Sequence, residues 1–148
     1  MLPTLRRTSI LSKLFGEFKA KTVVTLFHEP ASASSMRVLN LVKQAEAEAN
    51  TTKKDTDVEV TLDVQEEPPT SDQVAILLDY VGAKDAGKII QGATDEHGAL
   101  RKFKANKSSF VKPLIVDWGG GKVVTDDNES KILRLLKDAR AGEPIPDK

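Results

Sequence analysis

The residues best suited to chemistry lie between His28 and Arg37. Ser32, Ser34 and Ser35 stand just ahead of an apolar periodicity that begins at Val38, where a helix would start. Backbone N–H groups at a helix N-terminus lack intrahelical partners and the helix dipole adds partial positive charge, so such a place attracts anions. Arg37 follows closely and Lys112 arrives from a later strand; together with the hydroxyls they would hold a phosphate or a carboxylate. The plainer reading is that the serines are ordinary N-caps and Arg37 a solvated helix residue, since Ser is a favoured cap. His28, at the end of the first apolar run, offers a proton donor or a hydrogen bond that steadies the loop. No Asp or Cys stands at a spacing that would pair with it. His97, between Glu96 and Gly98, reads as a surface-loop residue, and two histidines this far apart make no metal site.

Other chemistries fail for want of residues. The chain of 148 residues has no cysteine, which removes thiol nucleophiles, disulfides, thiolate metal sites and redox-active pairs. No Gly-x-Ser-x-Gly elbow supports Ser32 as a hydrolytic nucleophile. Gly119-Gly120-Gly121 lies between two strand-like runs and is not followed by Lys-Ser/Thr, so it is a turn rather than a phosphate loop. The sequence points to no cofactor and no metal. Charge is balanced at 22 basic and 22 acidic residues, which argues against a nucleic-acid or membrane-surface partner. The run from Arg101 to Lys107 reads as a solvated basic face.

The balance conceals an uneven distribution. Residues 1–21 carry Arg6, Arg7, Lys13, Lys19 and Lys21 against Glu17, a net +4. Leu11, Leu14, Phe15 and Phe18 recur at i, i+3, i+4, i+7, the stripe of an amphipathic helix. A basic, Ser-bearing, acid-poor and amphipathic start describes a mitochondrial transit segment, and the apolar runs are too short for a secretory signal or a membrane span. The chain therefore divides into a basic segment at 1–21, one domain at 22–142 and a tail at 143–148.

The elements that must position the candidate residues alternate. Thr22 to Phe27 reads as a strand buried on both faces. A helix over about Ser35–Ala49 follows, with Val38, Leu41, Val42, Ala45 and Ala49 inward, then a polar loop at 50–55. Val58, Val60, Leu62 and Val64 alternate with polar residues, as in a half-buried edge strand. Thr70 or Ser71 caps a helix that buries Val74, Leu77, Leu78 and Val81 and stops at Gly82. Residues 83–110 read as irregular, with a short helix around Leu100 and Phe103. Residues 113–117 and 122–125 form a hairpin about the glycines. Ile132, Leu133, Leu135, Leu136 and Ala139 mark a last helix ending at Gly142 and Pro144. A four-stranded mixed sheet with helices on both faces satisfies this βαβ unit followed by a hairpin and helix, an α/β architecture of thioredoxin-like form.

Two segments resemble the arsenate-reductase-like branch of the thioredoxin superfamily. That branch carries His-x-Pro-x-Cys-x-x-Ser-Arg after its first strand, where this chain has His28-Glu29-Pro30-Ala31-Ser32-Ala33-Ser34-Ser35-Met36-Arg37. It opens its third strand with Arg-Pro, where this chain has Lys112-Pro113. Residues 22–142 as a whole are similar to a fungal family of small mitochondrial proteins described as candidate redox proteins. Lys112-Pro113 through Val116-Asp117-Trp118 and Asp127-Asn128-Glu129-Ser130 carry that likeness. The resemblance implies a mitochondrial location, the matrix in particular, and a cis Lys112–Pro113 bond facing the Ser32 loop. The anion site it implies comprises His28, Ser32, Ser34, Ser35, Arg37, Lys112 and Pro113. It also implies oxidoreductase chemistry, which this chain lacks the means for: Ser32 replaces the nucleophilic cysteine, and a hydroxyl forms no disulfide intermediate. Three roles stay open, namely a redox-family protein without its thiol, an interaction subunit of a mitochondrial assembly, or a binder of a small anion or peptide.

Overall fold

β1 (Ala20–Phe27) lies at the centre of a four-stranded sheet in the order β2-β1-β3-β4, with β2 (Val58–Gln65), β3 (Leu114–Asp117) and β4 (Lys122–Val124). β1 runs parallel to β2 and antiparallel to β3, and β3 pairs antiparallel with β4. The computed structural model describes residues 20–52 and 58–141. The expected transit segment therefore lies almost wholly outside the described residues, as does the 143–148 tail. β1 begins at Ala20, two residues ahead of the expected domain start.

Among the described residues five α-helices cover the sheet: α1 (Ala33–Thr52), α2 (Ser71–Val81), α3 (Ala86–Ile89), α4 (Glu96–Ala105) and α5 (Glu129–Ala141). α1 and α5 lie on one face, where Val38, Val42, Ile132, Leu135, Leu136 and Ala139 pack on Val24, Leu26 and Ile115. α2, α3 and α4 lie on the other, around Phe27, Leu114 and Val116. Phe27 meets Phe110 edge-on at 5.2 Å, and Phe110 in turn meets Phe103 at 6.3 Å.

Several elements differ from the sequence reading for local reasons. α1 starts two residues early because Ser32 is its cap, with the Ser35 N–H donating to Ser32 Oγ at 3.1 Å. It continues through Thr52, since no Gly or Pro stops it. Residues 83–110 are more ordered than expected. Asp95 caps α4 through the Gly98 N–H, Asn106 caps a 3₁₀ turn at Lys107–Ser109, and Ile90 bridges Phe110. His97 lies in the first turn of α4, exposed, rather than in a loop. Leu133 is 38% exposed and leaves the stripe of α5. β1 is not buried throughout, because Val23 is 41% exposed.

The hairpin glycines serve two needs. Gly121 has φ 69°, the left-handed conformation glycine adopts without cost. Gly119 and Gly120 are instead required by close approach. A Cβ there would sit 2.5 Å from Thr22 Oγ1 and from Asp117 Oδ2 respectively. The buried Asp117 carboxylate accepts hydrogen bonds from both glycine N–H groups at 3.1 Å.

Candidate binding site at the proline edge

The Lys112–Pro113 peptide bond is cis. Phe27 pairs with Leu114, so the antiparallel register sets Pro113 beside His28, at the end of β1 where the chain turns into α1. His28 is buried, and its N–H continues the parallel ladder by donating to the Gln65 carbonyl at 2.8 Å. Its Nδ1 shares a 2.7 Å hydrogen bond with Ser35 Oγ. That oxygen also accepts from the Glu29 N–H at 2.9 Å. Ser32 and Ser35 thus spend their oxygens on the turn itself, one capping the helix and the other tying β1 to its first turn.

The other candidates are directed elsewhere. Arg37 Nε and Nη2 both donate to Asp127 Oδ2, so the guanidinium clamps α1 to the loop ahead of α5. The Arg37 hydrogen bond holds the Asp127 carboxyl below the ordinary carboxylate value, opposed by slight burial and aided by Ser34. Lys112 Nζ donates to the Glu66 carbonyl at 2.6 Å, joining the start of β3 to the end of β2. His28, Ser32, Ser35 and Pro113 therefore gather at one edge, Ser34 and Arg37 belong to the Asp127 side, and Lys112 belongs to the β2 side.

Beside the cis bond lies an open hollow of about 500 Å³ whose wall includes Glu29, Pro68, Gln91, Phe110, Val111 and Lys112, with Lys107 and Ser108 at the rim. A second hollow, about 430 Å³, shares Gln91 and Ser108 with it and adds Lys102, Asn106 and Ser109. Lys107 sits 5.7 Å from the centre of the Phe103 ring, which anchors its stem near the rim. Ligand sites of open α/β sheets fall outside the carboxyl ends of the parallel strands, and Glu29 and Pro68 place this hollow there. Gln91, Lys107, Ser108 and Phe110 escaped the sequence reading. The one available signal was Asn106, a cap residue ahead of Ser108 and Ser109, which marks an ordered turn.

Among the described residues no group of three or more His, Asp or Glu side chains is placed to hold a metal ion. Among them, too, no helix is long and apolar enough to cross a membrane.

Fold and site define an α/β protein with a mixed four-stranded sheet and a lysine-rimmed hollow at its proline edge. Residues 15–126 match the family model described as "Protein of unknown function (DUF1687)", and the chain belongs to that family. It is also similar to a Schizosaccharomyces pombe protein named "Putative redox protein fmp46, mitochondrial", 37% identical over 62 residues. That match covers 42% of this chain and 51% of the relative, so the chain spans about half the length of the relative it matches. No solved structure matches the chain.

Proposed function

We propose that this is a mitochondrial protein of thioredoxin-like fold that has given up thiol redox chemistry and binds a small anionic molecule in the hollow beside Pro113. The observation that carries the reading is the juxtaposition of the cis Lys112–Pro113 bond with a hollow flanked by the Lys107 and Lys112 side chains. The sheet order β2-β1-β3-β4, with a parallel first pair and an antiparallel second, supports the thioredoxin-like assignment. The location is supported by the relative's name and by the basic start at 1–21. The absence of cysteine removes every step that passes through a thiolate.

The geometry supports a different share of roles within the implied site. In this reading Ser32 and Ser35 shape the turn, and Lys107, Ser108 and Lys112 line the hollow, with Lys112 exchanging the Glu66 carbonyl for the anion on binding. Titrating the protein with inorganic phosphate and with citrate, followed by amide NMR shifts, tests this. Saturable shifts confined to Gln91, Lys107, Ser108 and Lys112, and lost in Lys107→Gln/Lys112→Gln, are expected. Weak shifts spread over all surface lysines would overturn the binding site. A reporter fused to residues 1–21 that stays wholly cytosolic would overturn the location.

A further inference from the structure

The two hollows at the proline edge are neighbours with a common border. Gln91 and Ser108 belong to both. The chain is tied together there: the Gln91 N–H donates to the Ser109 carbonyl at 2.8 Å and the Val111 N–H to the Ile89 carbonyl at 2.9 Å. The first hollow is mixed, with Pro68, Phe110 and Val111 in its wall and Glu29 opposing Lys107 and Lys112. Glu29 is engaged in its own turn, where Oε2 accepts from the Ala31 N–H at 3.2 Å. The second hollow has no acidic side chain in its lining, and its one apolar side chain is Ala105.

The second hollow also gathers donors. Gly92 turns with φ 84°, and a Cβ there would stand 3.7 Å from Lys102 Nζ, so the Lys102 ammonium lies at the Gln91–Gly92 turn. Among the described residues neither Lys102 nor Lys107 forms an ion pair. Asn106 Oδ1 accepts from the Ser108 N–H at 3.1 Å and from the Ser108 hydroxyl at 2.7 Å. A backbone N–H can only donate, so this pairing fixes the orientation of the amide and leaves Nδ2 free to donate outward. Lys104, in the same last turn of α4 as Lys102, offsets the negative pole of that helix.

We propose that the ligand is a bisphosphate, a small molecule with two separated phosphate groups. One is held by Lys107 and Lys112 in the first hollow and the other by Lys102 and Asn106 in the second, with Gln91 beside the span between them. The proposal rests on the reading of the first hollow as an anion site and adds a second group to it. Phosphate follows from the kind of donor. An ammonium is a point charge that suits a phosphate oxygen from any direction, whereas a planar carboxylate is best met by the fork of an arginine, and no arginine lines either hollow. Two groups follow from the distribution of charge, since one phosphate in the first hollow leaves the Lys102 ammonium unanswered. Linking the groups makes the second contact intramolecular, which raises affinity beyond that of either alone.

Calorimetric titration of the full chain with inorganic phosphate and with straight-chain alkane bisphosphates of increasing length tests this. At least one length should bind about tenfold or more tightly than phosphate, and should extend the amide shifts to Lys102 and Asn106. Lys102→Gln should remove the gain and leave the affinity for phosphate as it is. Lys104→Gln, which makes the same change of charge, should keep the gain. Both lysines are exposed, so neither change threatens the fold. Phosphate binding that no bisphosphate improves would overturn the second subsite and leave the first. A gain that survives Lys102→Gln, or that is lost equally in Lys104→Gln, would do the same. Binding by none of these probes would overturn the first hollow as an anion site and this proposal with it.

Discussion

The two faces of the sheet use the same strands and are covered in different ways. One carries two long helices, α1 and α5, and an all-aliphatic interior of Val, Leu, Ile and Ala. The other carries α2 and a series of short pieces, and its interior is centred on Phe27, Phe103 and Phe110. Long periodic helices can cover strands along their whole length. Short segments joined by caps and turns cover a smaller area, but they leave backbone and side chains free at their junctions. The hollow at the proline edge and the exposed Val23 both lie on this second side. The first face is covered along its length; the second is left open at its junctions.

The largest expected effect tests whether the aromatic side is the more tightly knit where it is covered. Phe27→Ala should cost about 3–5 kcal/mol and Leu26→Ala, on the other face, about 2–5. Against a typical total of roughly 5–15 kcal/mol, either is readily measured by urea unfolding. A costlier Leu26→Ala would break the comparison. Next comes the polar seam at the boundary of the covered area, where Thr25 accepts from Trp118 and donates to Asp63 Oδ2 at 3.2 Å. Thr25→Val leaves the indole N–H without its acceptor and should cost about 1–3 kcal/mol, with a shift in Trp118 emission.

Tyr80 gives a pH test of the same side. Its phenol is held above the ordinary 10.0, first by burial and then by the charges of Asp117 and Asp79. The unfolded chain releases this proton first, so the contribution is intact below 10.0 and is lost as pH rises through the folded value. The chain has one tyrosine, so phenolate absorbance reads it directly, and Asp79→Asn should bring the midpoint down. The smallest effect belongs to the aliphatic side. Arg37→Gln should return Asp127 upward towards its ordinary 3.8, seen in the carboxyl carbon shift. The pair's contribution is present above that value and fades as pH falls through the lower folded one. An unmoved Asp127 would show that the clamp between α1 and the α5 loop is not formed in solution.

The same contrast explains what was legible in the sequence. Val38 and Val42, and Ile132, Leu135, Leu136 and Ala139, repeat at helical spacing and fall where that spacing places them. β2 alternates and lies at the sheet edge, as its pattern required. Residues 83–110 gave a helical signal only around Leu100 and Phe103, within the ten-residue α4; the three-residue and four-residue elements beside it are shorter than any repeat, and caps at Asp95 and Asn106 mark where α4 and the last turn begin. Site residues were readable by type but not by direction. Ser32 could be recognised as a cap residue, yet nothing local announces that Arg37 reaches Asp127, 90 positions away, or that Lys112 reaches the Glu66 carbonyl. The exposure of Val23 was missed for a related reason: Thr22 to Phe27 is apolar enough for a strand buried on both sides, and nothing in the run itself marks Val23 as uncovered.

The central position of β1 has a consequence for when the molecule can fold. β2 reaches it through a single intervening helix, whereas its other neighbour comes from the far end of the chain: Thr22 bonds Asp117 across 95 residues and Trp118 bonds Thr25 across 93. The entropy of closing that loop is spent before the contacts that repay it exist. A chain emerging N-terminus first, from a ribosome or through a membrane pore, therefore has a βαβ unit at hand early but cannot complete its sheet until Val124 is free. The full sheet therefore closes late, on strands that the chain delivers near its end.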